Sequence, residues 1–361
     1  MEENRLLKLE KSIDNLKNKS SRIYLFVQDT KGNPRAGVRY IYQMGLTLKN
    51  NGFNPIILHE KSEYIGVGEW LGNEYMELPH KSIEGQNLEI SPEDFLIIPE
   101  IFGFIMEQVK DLPCAKIVLC QAYDHMMETL QPGFGWANYG FYKCITTSEF
   151  QKEYISSVMK NVSFDILEPY ITDNFTKTIL TQQPLVAVHS RDPRRSVNFI
   201  KTFYLKYPQY RWITFRDMRG LNEIEFASNL QNCFVSVWMD ETSGYGTFPL
   251  ESMKSGVPCI GKVPALFPDW MTEDNGIWVI EDTKLCELTA DFIQNWLEDN
   301  IKTNLYTEMD KTVSELPKKE DFEKNVTKLF DDYLIVRTKS FEEQLNKLKP
   351  EEITSDINSQ I

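Results

Sequence analysis

The stretch Asp240 to Gly261, DETSGYGTFPLESMKSGVPCIG, carries residue types that could seat an anion beside a carboxylate. Gly244 and Gly246 let the backbone approach a ligand closely. Pro249 suits the first turn of a helix, where its missing N–H costs nothing. Gly256 suits the helix stop, and Val257-Pro258-Cys259-Ile260 restarts an extended apolar segment. The order predicts a glycine-bearing loop, a short helix and a buried strand. Free N–H groups at such a helix start favour an anion, and a phosphate is the common one. Glu251 then falls a turn further on, on the same side. A carboxylate there could accept hydrogen bonds from ribose or sugar hydroxyls.

The elements that must hold this segment follow from the rest of the chain. At 361 residues it exceeds one ordinary core, so two domains are expected. The 42% apolar and 25% charged content is that of a soluble globular protein. No run nears the roughly 20 apolar residues that span a bilayer, and the charged start MEENRLLKLEKS lacks a signal-peptide core. A cytoplasmic location follows as the expectation. The six cysteines show neither a disulfide framework nor CxxC spacing and read as reduced core residues. The net charge of −14 argues against a broad phosphate-tracking surface, so nucleic acid is the weaker partner class.

Leu6, Leu9, Ile13 and Leu16 mark an amphipathic helix over residues 1–20, expected to pack on its own domain rather than form a coiled coil. Apolar strands then alternate with helical runs: Arg22 to Val27, a helix over Val38 to Lys49, Pro55 to Leu58, Phe95 to Pro99, Lys116 to Cys120, Lys143 to Thr147, and a helix from Ser148. A second series begins at Leu185 to Val188 and runs through Arg211 to Phe215, Cys233 to Trp238, the opening segment and Gly276 to Ile280. Such alternation predicts an α/β protein of two Rossmann-like, doubly wound domains facing a central cleft. The expected division is 21–175 for the first domain and 180–325 for the second. A helix over 326–349 would return to the first domain, followed by a mobile tail at 350–361.

Pro249-Leu250-Glu251-Ser252-Met253 and Ser255-Gly256-Val257-Pro258 resemble the PLEAM-x-SG-x-P signature of retaining glycosyltransferases of the GT-B fold, family-4-like. Thr146-Thr147-Ser148-Glu149-Phe150, Asn275-Gly276 and Gly37-Val38-Arg39 are similar to further family segments, so the likeness spans both domains. It implies a nucleoside-diphosphate-sugar donor bound by Ser243, Gly244, Tyr245, Gly246, Thr247, Phe248 and Glu251, with the sugar transferred to a hydroxyl, most naturally of a glycan. That donor is a substrate; no cofactor and no metal is required. The family carries a glutamate eight residues before the second one; here Ser243 stands there, with Glu241 two positions earlier.

In that family an Arg and a Lys offset the leaving diphosphate from the first loop of the second domain. The matching loop here is His189-Ser190-Arg191-Asp192-Pro193-Arg194-Arg195, where Arg191 and Arg195, with Arg194, would grip the phosphates. The alternative is a solvated basic loop with surface ion pairs. On the first domain, Gln121 takes the place where the family often has His near the sugar. Gly37 and Arg35 in the loop after the first strand, Asp124, His125 and Glu100 are the remaining cleft candidates on the acceptor side. Phe134, Trp136 and Tyr139 read equally as a sugar-stacking loop or as ordinary packing. Peripheral association with an inner membrane face would suit a surface-glycan acceptor. Three other readings stay open: an epimerase or hydrolase on the same fold, a non-catalytic nucleotide-sugar-binding protein, and a DNA-base glycosyltransferase.

Overall fold

Continuous apolar runs become parallel strands covered on both faces, because a strand exposed on one face would alternate. The computed structural model describes residues 2–64, 66–68, 70–84, 88–178, 183–240, 244–301 and 303–348. The first lobe contains α1 (Glu2–Lys17), β1 (Arg22–Phe26), α2 (Ala36–Asn50), β2 (Asn54–His59), β3 (His80–Ser82), β4 (Phe95–Pro99), α3 (Gly103–Gln108), β5 (Ala115–Cys120), β6 (Lys143–Thr146), α4 (Glu149–Val158) and β7 (Ser163–Ile166). Its seven strands are parallel in the order β3-β2-β1-β4-β5-β6-β7. Side chains alternate along β1. Ile23 and Leu25 join the core under α1 and α2, and Tyr24 and Phe26 join the core on the opposite face.

The second lobe contains β8 (Gln183–His189), α5 (Pro193–Lys206), β9 (Thr214–Asp217), α6 (Glu223–Gln231), β10 (Cys233–Trp238), α7 (Thr247–Lys254), β11 (Cys259–Lys262), β12 (Ile277–Val279), α8 (Asp282–Leu297) and α9 (Thr303–Glu315), after which α10 (Lys319–Leu348) returns to the first lobe. Its five strands are also parallel, in the order β12-β11-β10-β8-β9. Phe199 and Phe203 of α5, Leu250 and Met253 of α7 and Ile293 of α8 close one core around Val186, Val188, Val235 and Val237.

The 30-residue α10 begins at Lys319, ahead of residue 326, and its Phe322, Val326, Phe330 and Phe341 belong to the first lobe's core. There it packs along α1 and α2. Phe322 meets Tyr40, and Phe330 meets Phe53. α1 docks on its own lobe, where Ser12 Oγ and Asn15 Nδ2 both donate to Glu93 at 2.9 Å. The aromatic loop resolves in favour of packing: Trp136 and Tyr139 are buried and only Phe134 is exposed. All six cysteines are buried and unpaired. The expected strand at Arg211 to Phe215 lies at Thr214–Asp217, because Pro208 to Tyr210 form a 3-10 turn that delays it. No described helix is long and apolar enough to cross a membrane. The tail expected at 350–361 lies outside the described residues.

Ligands of open parallel sheets bind beyond the carboxyl ends of strands, where the strand order reverses. In the first lobe that point lies between β1 and β4, and in the second between β8 and β10. The loops that leave those strands, with the one after β5, carry Glu100, Gln121, Arg191 and Gly244, and Gly37, expected in the loop after the first strand, lies in the first turn of α2 instead.

Candidate active site

α7 starts without a side-chain cap. Its N-cap is Gly246, with φ +78° in the left-handed region, and Pro249 lies in the first turn. The first N–H groups of the helix are therefore left for another acceptor. The helix is anchored from behind: Ser252 Oγ lies 2.7 Å from Ser236 Oγ of β10 and donates to the Val257 carbonyl at 2.8 Å. Trp270 Nε1 donates to the Tyr245 carbonyl at 2.7 Å and fixes the loop in front. A Cβ on Gly246 would lie 2.7 Å from the Trp270 ring, so the tight turn and its indole brace exclude a side chain there.

The first lobe closes on this loop. A Cβ on Gly244 would sit only 1.8 Å from the Gln121 carbonyl oxygen, so the two backbones touch across the lobes at that glycine. Gln121 Nε2 in turn donates to the Gly37 carbonyl at 3.2 Å, which ties the loop after β5 to the start of α2. Two further contacts join the lobes: Leu266 N to Tyr123 Oη at 3.1 Å, and Phe150 N to Asp269 Oδ2 at 3.3 Å. Gly37, Gln121 and Gly244 are thus brought together.

The arginine loop is shaped by its cap. Asp192 is the N-cap of α5, with Pro193 at N1, and accepts from Arg194 N at 2.9 Å. Asp240, at the end of β10, accepts from Arg191 N at 2.7 Å and from Trp238 Nε1 at 3.3 Å, which locks the β8 and β10 loops together. Arg191 Nη1 reaches His125 Nε2 of the other lobe at 3.3 Å. A guanidinium only donates, so Nε2 is the acceptor and the proton resides on Nδ1, which donates to Glu128 at 2.9 Å. Arg195 pairs with Asp282 at the start of α8, which also takes Lys262 at 3.1 Å. Arg194 folds back on Asp192 and is 86% exposed. Three arginines at one helix start oppose its dipole, and an arriving anion would relieve that.

Glu251 is only 5% exposed, and one of its oxygens, Oε1, is taken by an arginine of the other lobe. Arg39 of α2 donates to it from Nη2 at 2.7 Å and to Glu223, the first residue of α6, from Nη1 at 2.9 Å. Glu223 accepts also from Thr172 and from Asn174 Nδ2 at 2.7 Å, in the segment that joins the lobes. Burial pushes the Glu251 carboxyl above its ordinary range, against the pull of Arg39. Burial acts on Glu223 in the same direction, but Arg39, Thr172 and Asn174 outweigh it and hold that carboxyl low. Arg39, noted only as part of the family-like Gly37-Val38-Arg39, and Glu223 are not among the site candidates read from the sequence. The signal available for Arg39 was a cation set among the buried Val38, Tyr40 and Ile41 of an amphipathic helix.

Glu100 is buried behind Gln121, accepts from Ala122 N at 2.9 Å, and has Oε2 without a partner. Burial pushes its carboxyl up to about 7, against the backbone N–H groups that favour the anion. Asp124 flanks His125 at 3.9 Å, and Arg35 is exposed at the N-cap of α2. Tyr245 also lines a cavity of about 250 Å³ with Phe150, Glu168, Asp269 and Trp270; neither Arg191 nor Glu251 borders it. Thr247 and Phe248 form the first turn of α7, and the Phe248 ring stacks on His189 at 4.7 Å. Ser243 and Glu241 lie outside the described residues.

No protein-family model matches the chain, and no curated protein matches it in sequence. Its architecture is similar to that of HepE from Anabaena, solved with UDP-glucose: TM-score 0.59 at 9% identity, over 90% of this chain and 99% of that one. Sucrose-phosphate synthase from Thermosynechococcus elongatus aligns with a TM-score of 0.55 at 13% identity, over 91% and 100%. A glycosyltransferase from Rickettsia africae aligns at 0.50 and 12%, over 91% and 98%. These likenesses span both lobes, and with the two parallel, doubly wound sheets meeting at the carboxyl ends of their strands they give the chain the GT-B fold.

Proposed function

We propose that the protein transfers a sugar from a nucleoside-diphosphate-sugar donor to a hydroxyl of an acceptor, with a glycan as the acceptor class. The observation that carries this reading is the uncapped start of α7, held at both switch points beneath Gln121 and Gly37 and beside the arginine loop. HepE, similar over nearly the whole chain, was solved with UDP, UDP-glucose and glucose. In this reading the diphosphate meets the N–H groups of α7, and Arg191 supplies countercharge in place of a metal. Arg194 and Arg195 are close enough in sequence to join it. Glu251 accepts from ribose hydroxyls.

Transfer breaks the bond from the anomeric carbon to the diphosphate oxygen and forms one to the acceptor oxygen. The acceptor proton leaves toward the departing phosphate. With the acceptor on the same face as that phosphate, configuration is retained. The protein's part is to position the partners, to stabilise the charge that grows on the leaving oxygen, and to exclude water when the lobes meet.

A thermal-shift panel of ADP, GDP, UDP and dTDP and their sugars tests the reading. A ligand at 100 times its dissociation constant stabilises by about 2.7 kcal/mol. At least one of the panel is expected to do so, and the corresponding sugar to turn over with an acceptor. No stabilisation by any member would overturn the proposal.

A further inference from the structure

Arg39 belongs to the first lobe, yet its guanidinium serves two carboxylates of the second. Its side chain is 13% exposed, and its fork is divided between Glu251 and Glu223 at 2.7 and 2.9 Å. Glu251 itself is 5% exposed. The charged groups around it come from three helices. Arg39 faces it from α2 and Glu223 from α6. Lys254, on α7 itself, is directed to the Ile171 carbonyl at 2.7 Å and Asp173 at 2.9 Å, in the joining segment. Tyr75 and Tyr170, phenols in the same electrostatic neighbourhood, are held neutral by burial. Among the described residues, Arg39 is the one cation hydrogen-bonded to Glu251. Glu223 beside it adds a like charge.

We propose that Arg39 is a positioning residue for the donor: from the opposite lobe it supplies the countercharge that keeps Glu251 an ionised hydrogen-bond acceptor. The inference rests on the reading that Glu251 receives ribose hydroxyls. Its consequence is that the donor site is complete only with the lobes together. A buried carboxyl without a counter-ion takes up a proton. It would then present an O–H where the ribose also presents O–H groups. Lysine replaces the charge but not the fork that spans two carboxylates.

The test uses the full chain and the nucleoside diphosphate that most stabilises the wild type among ADP, GDP, UDP and dTDP. Its dissociation constant is measured by calorimetry from pH 6 to 8.5 for wild type, Arg39→Gln, Arg39→Lys and Glu251→Gln. Ratios to wild type cancel the titration of the nucleotide itself. The Arg39→Gln ratio is expected to be roughly 10-fold or more at pH 6 and to shrink as pH rises and Glu251 ionises unaided. Arg39→Lys should give a smaller ratio that is flat with pH. An Arg39→Gln ratio near one, or one equal at every pH, overturns the proposal and reduces the residue to a structural strut.

The Glu251→Gln ratio tests the same point without touching Arg39, should the glutamine variant fail to fold. It should stay constant down to pH 6, and a collapse toward one at low pH means that Arg39 does not keep Glu251 charged. A Glu251→Gln protein that binds like wild type throughout refutes the ribose reading itself. One that binds weakly beside an unaffected Arg39→Gln refutes only the inference.

Discussion

Gly244→Ala puts a methyl group into the closest approach between the lobes. The added Cβ would lie 1.8 Å from the Gln121 carbonyl oxygen and 2.9 Å from its carbon, both backbone atoms. Real Cβ contacts stay at 3.0 Å or more, so the loops must separate by at least 1.2 Å. Neither backbone can yield alone. Gln121 follows β5, whose pairing with β6 runs through Cys120, and the loop behind Gly244 is braced by Trp270. The displacement therefore falls on the relation between α7 and the Gln121–Gly37 pair. A 1 Å misplacement of reacting groups costs on the order of 100-fold in rate. Donor turnover by Gly244→Ala is expected to fall by about that factor. Its melting temperature should change little, since the contact lies between the lobes and not in either core. The assay is steady-state release of the nucleoside diphosphate from the donor sugar that wild type accepts, with melting curves on the same samples. Turnover within about 3-fold of wild type would refute the claim that this glycine sets the lobe contact on which the site depends.

Two further predictions concern individual charges. Arg191→Ala removes the side chain that joins His125 across the lobes, while its backbone N–H bond to Asp240 survives. Hydrogen bonds to charged groups contribute about 1.5–3 kcal/mol, so nucleoside-diphosphate affinity measured by calorimetry should drop at least 10-fold, with a smaller loss for Arg194→Ala, whose guanidinium is turned back on Asp192. Glu100 has its carboxyl raised from 4.5 to about 7 by burial. Between those values the folded state binds more protons than the unfolded one, so stability falls as pH rises through that window. The loss approaches roughly 3 kcal/mol above pH 7, since each pKa unit is worth about 1.4 kcal/mol. Glu100→Gln abolishes that slope. Its melting temperature relative to wild type should therefore rise between pH 5 and pH 8, and a difference that does not vary with pH would count against a buried, proton-binding Glu100.

How far the sequence carried the structure depends on the range of the forces involved. The doubly wound architecture was legible because strands buried on both faces read as nearly continuous apolar runs, as in Ile23 to Val27 and in Cys233 to Trp238, where Ser236 is the one polar residue. The turn–helix–strand segment from Gly244 was legible because its cues are local: Gly246 at the N-cap, Pro249 in the first turn, Gly256 at φ +75°. β3, at the sheet edge, spans three residues with one buried, and β7 lies at the other edge with none fully buried. Edge strands of that kind leave no apolar run to read. α9 escaped notice because its buried residues, Leu305, Met309 and Thr312, make a thin stripe in a polar segment.

The site's polar partners are a harder case, because nothing local selects them. Asp282 lies 87 residues from Arg195, and Glu223 lies 184 residues from Arg39. From sequence, Glu251 reads as a lone carboxylate awaiting a ligand. In the fold it is one corner of a buried ion network whose cation comes from the other lobe. The difference is physical. A carboxylate exposed in the cleft would remain charged through solvent alone, whereas a buried one depends on its counter-ion for its charge. The chemistry available at Glu251 is therefore set by where α2 stands relative to α7. That distance is fixed by the Gly244–Gln121 contact and by α10, which starts beside the second lobe and buries Phe322 and Phe330 in the first. The segment that carries the anion site and the helices that hold the lobes together thus act on the same carboxylate. For that reason a change at the lobe contact and a change at Arg39 should both weaken donor binding, and both more at pH 6 than at pH 8.5.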